Sequence, residues 1–337
     1  MRRVLMLVLT VLVLAPPAAR AQQPLGVVDH TLARFDRDTL QPVGPVIEAG
    51  ETHSMPVMAP GGGRFALGVS SSGEPGIPET GRGRVGLWVV DAGAMRIERQ
   101  IRTGIAAESV VFPGKVAAVL QDGALVVVDP QNGRIVSRRQ VGFSFGTPQG
   151  VHASGRGVIV NEIRRGRGVE VVVVSASGAV RTAFARMPGV ERIVGLASDG
   201  TRAYIVGNRR IAVLDPRTMR VRTRRFDGNA RSAVVAGGSL AVAGPGGLRM
   251  YDVANWRLLA RDNRSAFVYA SGNTVVASGE GRITTRDSAS GRVLWRASGS
   301  VGAVAAGRVY AQPAVLDAAT GARVGTHPVP NTLLRLL

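Results

Sequence analysis

The chain has 337 residues, of which 45% are hydrophobic, and it carries a formal net charge of +19. This apolar content excludes a disordered chain, which would have too few apolar residues to bury. Because the chain has no cysteine, the sequence also excludes a disulfide scaffold, a cysteine-based zinc site, a haem attached through cysteine and a cysteine enzyme.

The first 21 residues have the three parts of a secretory signal peptide. Two arginines begin it, residues 4–15 form an apolar run, and small residues precede a cleavage point after Ala21. An apolar run of 12 residues is too short to span a bilayer, which takes about 20. The sequence therefore predicts a Sec-type signal peptide over 1–21. The mature domain, 22–337, is expected in the periplasm or outside the cell.

One pattern recurs along the rest of the chain: a short apolar run, an Asp, a turn-forming segment, and then an alternating segment rich in Arg. It is seen in GALVVVDPQNGRIVSRRQV at 123–141 and in GRITTRDSASGRVLWRAS at 281–298. The eight copies lie on average about 40 residues apart, which is the period of one blade in a β-propeller. The anchoring residues are Asp36, Asp91, Asp129, Ser175, Asp215, Asp252, Asp287 and Asp317.

The anchoring Asp has the chemistry of a hairpin turn. Its side chain can accept hydrogen bonds from backbone N–H groups two residues later, and this initiates the turn. Gly133, Gly178, Gly291 and Gly321 then supply the positive φ that a tight reversal needs. The segment after the turn alternates, as at 134–138, so that one face packs and the other meets water. This pattern predicts an outer, half-exposed strand.

Between these hairpins lie seven strand pairs with small side chains, such as SAVVAGGSLAVAG at 232–244 and SVGAVAAGRVYAQ at 300–312. Such side chains suit inner strands around a central axis, and two inner with two outer strands make a four-stranded blade. The fold predicted is all-β, a single β-propeller. Seven blades are favoured, with the N-terminal hairpin near 27–48 joining the C-terminal strands to close the ring. Eight blades are the alternative.

Two segments, DSASGRVLWRASG at 287–299 and LDAATGARVG at 316–325, resemble the repeat of quinoprotein-type (PQQ-like) propellers. The copies VVVDPQNGRIVSRRQVG and IAVLDPRTMRV are equally similar to the seven-bladed YVTN-type surface and periplasmic propellers. The resemblance covers nearly all of the mature chain. It implies a propeller fold and brings no catalytic motif with it.

The sequence departs from the quinoprotein dehydrogenases at the cofactor. Those enzymes commonly have a vicinal cysteine disulfide against the quinone and a docking Trp in most blades. This chain has no Cys, and of Trp88, Trp256 and Trp295 only Trp295 sits in the expected slot. We therefore expect no quinone or other cofactor. A metal site is not predicted either, because His53 and His152 lack a second ligand at a short spacing.

Propellers usually bind ligands at one mouth of the central channel, where loops lead into the innermost strands. The residues of those loops predict a polar funnel for an anionic or sugar-like ligand; alternatively, they cap strands and hydrate an ordinary channel. A Gly/Pro-rich insertion at 70–86 either covers this mouth or is disordered. The funnel residues are His53, Glu108, Gln149, Glu191, Arg192, Arg231 and Arg264.

These features favour an exported, monomeric binding or scaffold module with a protein partner or small ligand on one face. One alternative is a propeller enzyme of the lyase or lactonase type with its site in the central funnel. Glu108 and Glu191 are the two carboxylates there that could in principle act as general acid and base, as in glycoside cleavage. Another is binding of an anionic cell-envelope polymer by an Arg-rich rim, although a solvated rim is favoured for these arginines. A nucleic-acid partner is not expected, because aromatic residues for base stacking are few.

Overall fold

The computed structural model describes residues 23–28, 31–49, 51–52, 54, 56–70, 86–141, 150–164, 166–226, 229–327 and 334–336. The signal peptide predicted over 1–21 and most of the 70–86 insertion lie outside these residues. Every regular element in the described part of the chain is a β-strand. None of it forms a helix long and apolar enough to cross a membrane.

Runs of Val, Ile, Leu and Ala form most of the strands, because branched apolar side chains pack well on a pleated surface. The first sixteen strands in chain order are β1 (Leu25–Val28), β2 (Thr31–Arg34), β3 (Ile47–Glu48), β4 (Glu51–Thr52), β5 (Val57–Met58), β6 (Arg64–Ser70), β7 (Gly86–Asp91), β8 (Arg96–Arg102), β9 (Ala107–Val111), β10 (Val116–Leu120), β11 (Ala124–Val128), β12 (Ile135–Gln140), β13 (Val151–Ala153), β14 (Arg156–Arg164), β15 (Gly168–Val174) and β16 (Val180–Arg186). The others are β17 (Ile193–Ser198), β18 (Ala203–Gly207), β19 (Arg210–Asp215), β20 (Arg220–Arg225), β21 (Ser232–Ala236), β22 (Ser239–Gly244), β23 (Gly247–Asp252), β24 (Leu258–Arg261), β25 (Phe267–Ser271), β26 (Thr274–Gly279), β27 (Arg282–Asp287), β28 (Val293–Ser298), β29 (Ala303–Ala305), β30 (Arg308–Ala311), β31 (Ala314–Asp317), β32 (Arg323–Thr326) and β33 (Leu334–Leu336).

The strands form eight antiparallel sheets, each of which is one blade of a propeller. Blade 1 runs from β4 to β8, blades 2 to 7 take four consecutive strands each from β9 to β32, and blade 8 combines β33 with β1, β2 and β3. In each blade the strands run in this order from the channel to the rim. In blade 1 the innermost position is divided, because β4 and β5 both pair with β6.

The ring closes where the two ends of the chain meet. β33 pairs antiparallel with β1, with Val27 opposite Arg335, so closure by N- and C-terminal strands is confirmed. The blades number eight, which is the alternative count rather than the favoured seven. Blade 7 is already complete with β29 to β32, so the N-terminal strands build a separate blade with β33. The inner pair of blade 8 joins opposite ends of the chain and therefore gives no local hairpin signal.

Each pair of neighbouring blades encloses its own apolar cluster, and eight such clusters complete the ring. Alternate residues of a strand face opposite sides of its sheet. On β11, Val126 and Val128 pack towards blade 1, whereas Leu125 and Val127 pack towards blade 3. Because the core is divided among the blade interfaces, the loops at the two ends and the outermost strands remain available for other contacts.

The Asp that ends the third strand of a blade organises the turn to the outermost strand. Oδ1 of Asp215 accepts hydrogen bonds from the backbone N–H groups of Arg217 (2.9 Å) and Thr218 (3.2 Å). Gly291 and Gly321 complete the equivalent turns in blades 6 and 7 with φ values of 72° and 76°. The other turn carboxylates that accept backbone N–H groups in this way are Asp36, Asp91, Asp129, Asp252, Asp287 and Asp317.

Candidate functional site

The loops that lead from each outermost strand to the next innermost strand all lie at one end of the channel, which we call the loop face. The predicted funnel residues within the described chain belong to this face, in blades 2, 4, 5 and 6. His53 and Gln149 lie outside the described residues. The described ones are Glu108 in β9, Glu191 and Arg192 before β17, Arg231 before β21, and Arg264 before β25.

Neighbouring loops hold several of these residues through hydrogen bonds. Asn208 Oδ1 accepts a hydrogen bond from the backbone N–H of Glu191 (3.3 Å), and the Asn208 N–H donates to the carbonyl of Arg192 (3.2 Å). The half-buried Glu108 accepts a hydrogen bond from Gln121 Nε2 (3.1 Å). Glu108 belongs to blade 2 and Glu191 to blade 4, so blade 3 lies between the two carboxylates. Their role as an acid–base pair stays a prediction.

His152 is occupied by a structural contact. Its Nε2 accepts a hydrogen bond from the backbone N–H of Phe112 across the interface of blades 2 and 3 (3.0 Å). Burial lowers the pKa of the His152 imidazole. Among the residues that the structure describes, no three His, Asp or Glu side chains are grouped as metal ligands would be.

The positive charge is concentrated on the outermost strands. The strands β3, β8, β12, β16, β20, β24, β28 and β32 together carry fourteen arginines and two glutamates. The innermost strands of the eight blades carry one arginine and two glutamates. The basic surface within the described strands is therefore the rim of the propeller, away from its channel.

The densest part of this surface is formed by β16 and β20, the touching outermost strands of blades 3 and 4. We call these two strands the blade 3–4 rim, and they contain six exposed arginines and no acidic residue. Arg224 lies over the Trp256 ring, 4.7 Å from its centroid. Phe184 on β16 is 43% exposed. The six arginines are Arg181, Arg186, Arg220, Arg222, Arg224 and Arg225.

Three cavities between blades are lined by charged side chains of the described residues. Two of them lie between blades 1 and 2 at the end opposite the loop face. The smaller of these two, of about 520 Å³, is lined by three arginines and one glutamate, and the larger is about 570 Å³. The two cations of the larger cavity are paired within it: Arg64 Nε lies 2.6 Å from Glu98 Oε2, and the Lys115 ammonium contacts the Asp129 carboxylate. This cavity therefore offers little uncompensated charge to a ligand.

The third and smallest cavity, of about 280 Å³, lies between blades 5 and 6 and is lined by four arginines and one carboxylate. Sequence reasoning named only Arg264 among them and missed Arg282, Arg286 and Arg296. The repeat contained a signal that finds one of these, because Arg286 stands directly before the turn residue Asp287, where the other copies have an apolar or aromatic residue.

Asp262 shapes the loop at this smallest cavity. Its Oδ1 accepts hydrogen bonds from the backbone N–H groups of Arg264 (3.1 Å) and Ser265 (2.9 Å), and its Oδ2 accepts one from Ser265 Oγ (2.9 Å). Burial alone would raise the pKa of Asp262, but these hydrogen bonds outweigh it and hold the pKa below its ordinary value. The carboxylate is therefore ionised at neutral pH, and both of its oxygens are engaged.

No model of a known protein family matches the sequence, and no curated protein matches it. Solved structures match the fold. BamB from Moraxella catarrhalis matches over 87% of this chain and 94% of its own, with 14% identity and a TM-score of 0.58. The dihydro-heme d1 dehydrogenase NirN, in complex with DHE, matches over 92% of this chain and 74% of its own, with 15% identity and a TM-score of 0.63. At these identities the likeness is one of fold alone, and it agrees with the predicted β-propeller.

Proposed function

We propose that this protein is an exported, non-catalytic binding module that docks the acidic surface of a partner protein on the blade 3–4 rim. The observation that carries the proposal is the distribution of charge. Two touching outermost strands present six exposed arginines, and neither strand contains an acidic residue. The signal peptide predicted over 1–21 supports the exported location.

Solubility and edge protection do not require this arrangement. A surface that serves solubility intersperses charges of both signs, and isolated charges are enough to keep an edge strand from pairing with another sheet. The outermost strands β28 and β32 each have a single arginine. The four arginines on β20 repel one another. Acidic residues on a partner protein would attract these arginines and offset the repulsion.

The apolar residues beside the arginines favour a protein over an anionic polymer. Phe184 is 43% exposed on β16, and Leu258, on the outermost strand of blade 5, is 48% exposed. Arg and aromatic side chains are enriched at the centres of protein interfaces, where they provide much of the binding energy. Binding of a polymer through charge alone would leave the exposed part of the Phe184 ring uncovered. A protein surface can cover the ring and pair with the arginines together.

Alternation along β20 places Arg220, Arg222 and Arg224 on one face of the strand, with successive Cα atoms about 7 Å apart. We expect a variant with all three changed to Gln to lose the partner, because the docking surface loses half of its six arginines. These side chains face blade 5, because the β19 residues opposite them pack there. The measurement therefore uses a photo-crosslinking residue at Thr223, the exposed residue between two of these arginines on β20, in the cells that produce the protein. The crosslinked complex should decrease at least roughly tenfold.

The matched control changes Arg139, Arg261 and Arg323 to Gln, which removes the same charge from three separate strands. This control should keep at least half of the crosslinked complex. A crosslinker at Val324 in blade 7, on the opposite side of the ring, should capture no common partner. Equal capture at Thr223 and Val324, equal loss in both triple variants, or crosslinking only to polysaccharide would contradict the proposal.

A further inference from the structure

One of the eight copies of the repeat has a charged residue at a position where the other seven have an apolar or aromatic one. The position directly before the turn residue faces the preceding blade and is apolar or aromatic in seven copies. In blade 6 it is an arginine, Arg286, which is nevertheless buried, with 9% of its surface exposed. The eight residues are Phe35, Val90, Val128, Val174, Leu214, Tyr251, Arg286 and Leu316.

The pairing of strands shows which way Arg286 faces. It lies opposite Val275 on β26, and Thr284 lies opposite Ala277. Val275 and Ala277 belong to the apolar cluster between blades 5 and 6. Because directly opposed residues share a face of the sheet, Arg282, Thr284 and Arg286 all face blade 5. On this side of blade 6, the third strand therefore contributes positive charge, whereas the second strand contributes apolar residues.

The contacts of Arg286 leave its charge incompletely compensated. Nη1 donates a hydrogen bond to the carbonyl of Gly291 (2.9 Å), and Nη2 lies 3.5 Å from Asp262 Oδ2. Its Nε is buried with no hydrogen-bond partner. A buried charge is costly unless it is paired and fully hydrogen-bonded.

Arg308, the second buried arginine among the residues whose burial the structure describes, has its charge fully compensated. Arg308 is 6% exposed, and its Nε contacts Asp38 Oδ1 at 2.6 Å while its Nη1 contacts Asp317 Oδ2 at 2.8 Å. Arg308 therefore has two carboxylates at short distance. Arg286 has one carboxylate at a longer distance, and the oxygens of Asp262 are already occupied by Ser265 and the loop backbone.

Three further arginines increase the imbalance at the cavity of about 280 Å³. Arg264, Arg282 and Arg296 line it with exposed side chains, and none forms an ion pair with a carboxylate that the structure describes. Four guanidinium groups thus surround one carboxylate, an excess of three positive charges. Guanidinium groups bind phosphate oxygens through paired hydrogen bonds.

We propose that the cavity between blades 5 and 6 binds a small phosphate dianion, either free phosphate or the phosphoryl group of a small ester. The volume suits a compact ligand, since pockets for drug-sized molecules begin at about 300 Å³. Thr284 lies on the same face of the sheet as Arg286 and adds a hydroxyl group to the lining of the cavity. The site is separate from the blade 3–4 rim and does not depend on the function proposed for it.

The test measures binding of inorganic phosphate to the full chain by calorimetry and its effect on Tm, with sodium chloride at matched ionic strength as the salt control. Phosphate should raise the Tm, because a ligand that binds the folded state stabilises it. Glycerol phosphate, measured in the same way, distinguishes the two sources. Tighter binding of the ester identifies a phosphoryl ester, and tighter binding of the inorganic ion identifies free phosphate.

The decisive variant is Arg286→Leu, which restores the residue type found at Leu214 and Leu316. It should fold with an unchanged or higher Tm in the absence of phosphate and lose at least roughly tenfold in phosphate affinity. The surface variant Arg282→Gln/Arg296→Gln should lose a similar factor in phosphate affinity, and its Tm without phosphate should not change. Arg323→Gln/Arg139→Gln, which removes two exposed arginines elsewhere, should bind phosphate normally.

Three results would overturn the proposal. One is no phosphate binding at millimolar concentration in the unmodified protein. Another is binding that persists in both Arg286→Leu and the Arg282/Arg296 variant, which would indicate an adventitious ion only. The third is an equal loss in the control variant, which would assign the effect to net charge rather than to the cavity.

Discussion

His152 illustrates how a single polar residue is fitted into an interface of apolar blades. Its Nε2 accepts the hydrogen bond of the Phe112 N–H (3.0 Å), so the neutral imidazole with its proton on Nδ1 is the form that fits. Protonation of Nε2 would break that bond and leave a backbone donor unsatisfied in a half-buried position. Burial also disfavours the charged imidazole and lowers its pKa.

The stability of the protein should therefore depend on pH through His152. Because the folded-state pKa of His152 is depressed, the unfolded chain takes up the proton first as the pH falls. The stabilisation is fully present above about pH 6.5, the ordinary pKa of His, and is lost as the pH falls towards the folded pKa. In urea unfolding from pH 7.5 to 5, His152→Gln should show a shallower loss of unfolding free energy than the unmodified protein. Parallel curves for the two proteins would argue against this role.

The turns show how far individual residues could be predicted from the sequence. The Asp–Gly pattern identifies the turn in blades 2, 6 and 7, because Gly is the residue that adopts positive φ without strain. Four other blades have a non-glycine residue in the equivalent position, and these have φ values of 57°, 48°, 62° and 64°. Packing against the blade interface holds those side chains, and no local pattern reveals that packing. They are Leu40, Met95, Met219 and Trp256.

At the scale of elements, Trp295 joins the outermost strand of blade 6 to the turn of blade 7. Its Nε1 donates a hydrogen bond to the carbonyl of Ala318 (3.0 Å). Its ring lies over Gly321, where an added Cβ would come within 2.7 Å of ring atoms. This contact explains physically why Trp295 occupies the docking slot recognised in the sequence. The turn Gly is needed both for its φ of 76° and for space beneath the ring.

Gly321→Ala should destabilise the protein more than a change that affects φ alone. Gly307 has a nearly identical φ of 75°, and an added Cβ there meets nothing within 4 Å. Gly307→Ala should therefore cost about 1 kcal/mol for the left-handed backbone, whereas Gly321→Ala should cost a further 1–3 kcal/mol, roughly the penalty of overpacking. Urea unfolding of the two variants gives the comparison. If both lose the same free energy, the Trp295 ring adapts without cost and the contact has little energetic weight.

The interface between blades 5 and 6 contains one residue that could be predicted from the sequence and others that could not. Repeat alignment alone separates Arg286 from the apolar residues of the other seven blades, so that residue was within reach of prediction. Arg296 and Asp262 were not, because they come from the outermost strand of blade 6 and the loop after blade 5. Only the fold brings them to the same cavity. The funnel residues that the structure describes lie in loops on one face, and a ligand site formed by the funnel stays a prediction.

At the scale of the whole molecule, blade 8 takes its innermost strand, of three residues, from the other end of the described chain. β33 is the only strand that blade 8 takes from the C-terminal end of the described chain, and it pairs Leu334 with Val28 and Leu336 with Gly26. Without it, β1 would become an exposed edge next to the channel, and unpaired strand edges recruit other chains. The sequence could not identify this strand by repeat, since it lacks the hairpin partner that accompanies the other innermost strands.

Deletion of residues 334–337 should therefore open the ring, whereas deletion of Leu337 alone should not. Loss of the backbone hydrogen bonds between β33 and β1 should reduce the free energy of unfolding by about 2–3 kcal/mol, at roughly 1 kcal/mol per bond. The freed edge of β1 should also promote association that increases with protein concentration. Thermal unfolding reports the first effect and size-exclusion chromatography over a range of concentrations reports the second. If the longer deletion leaves both the Tm and the elution volume unchanged, the eight apolar clusters between blades hold the ring by themselves, and the pairing of β33 with β1 is not a source of stability.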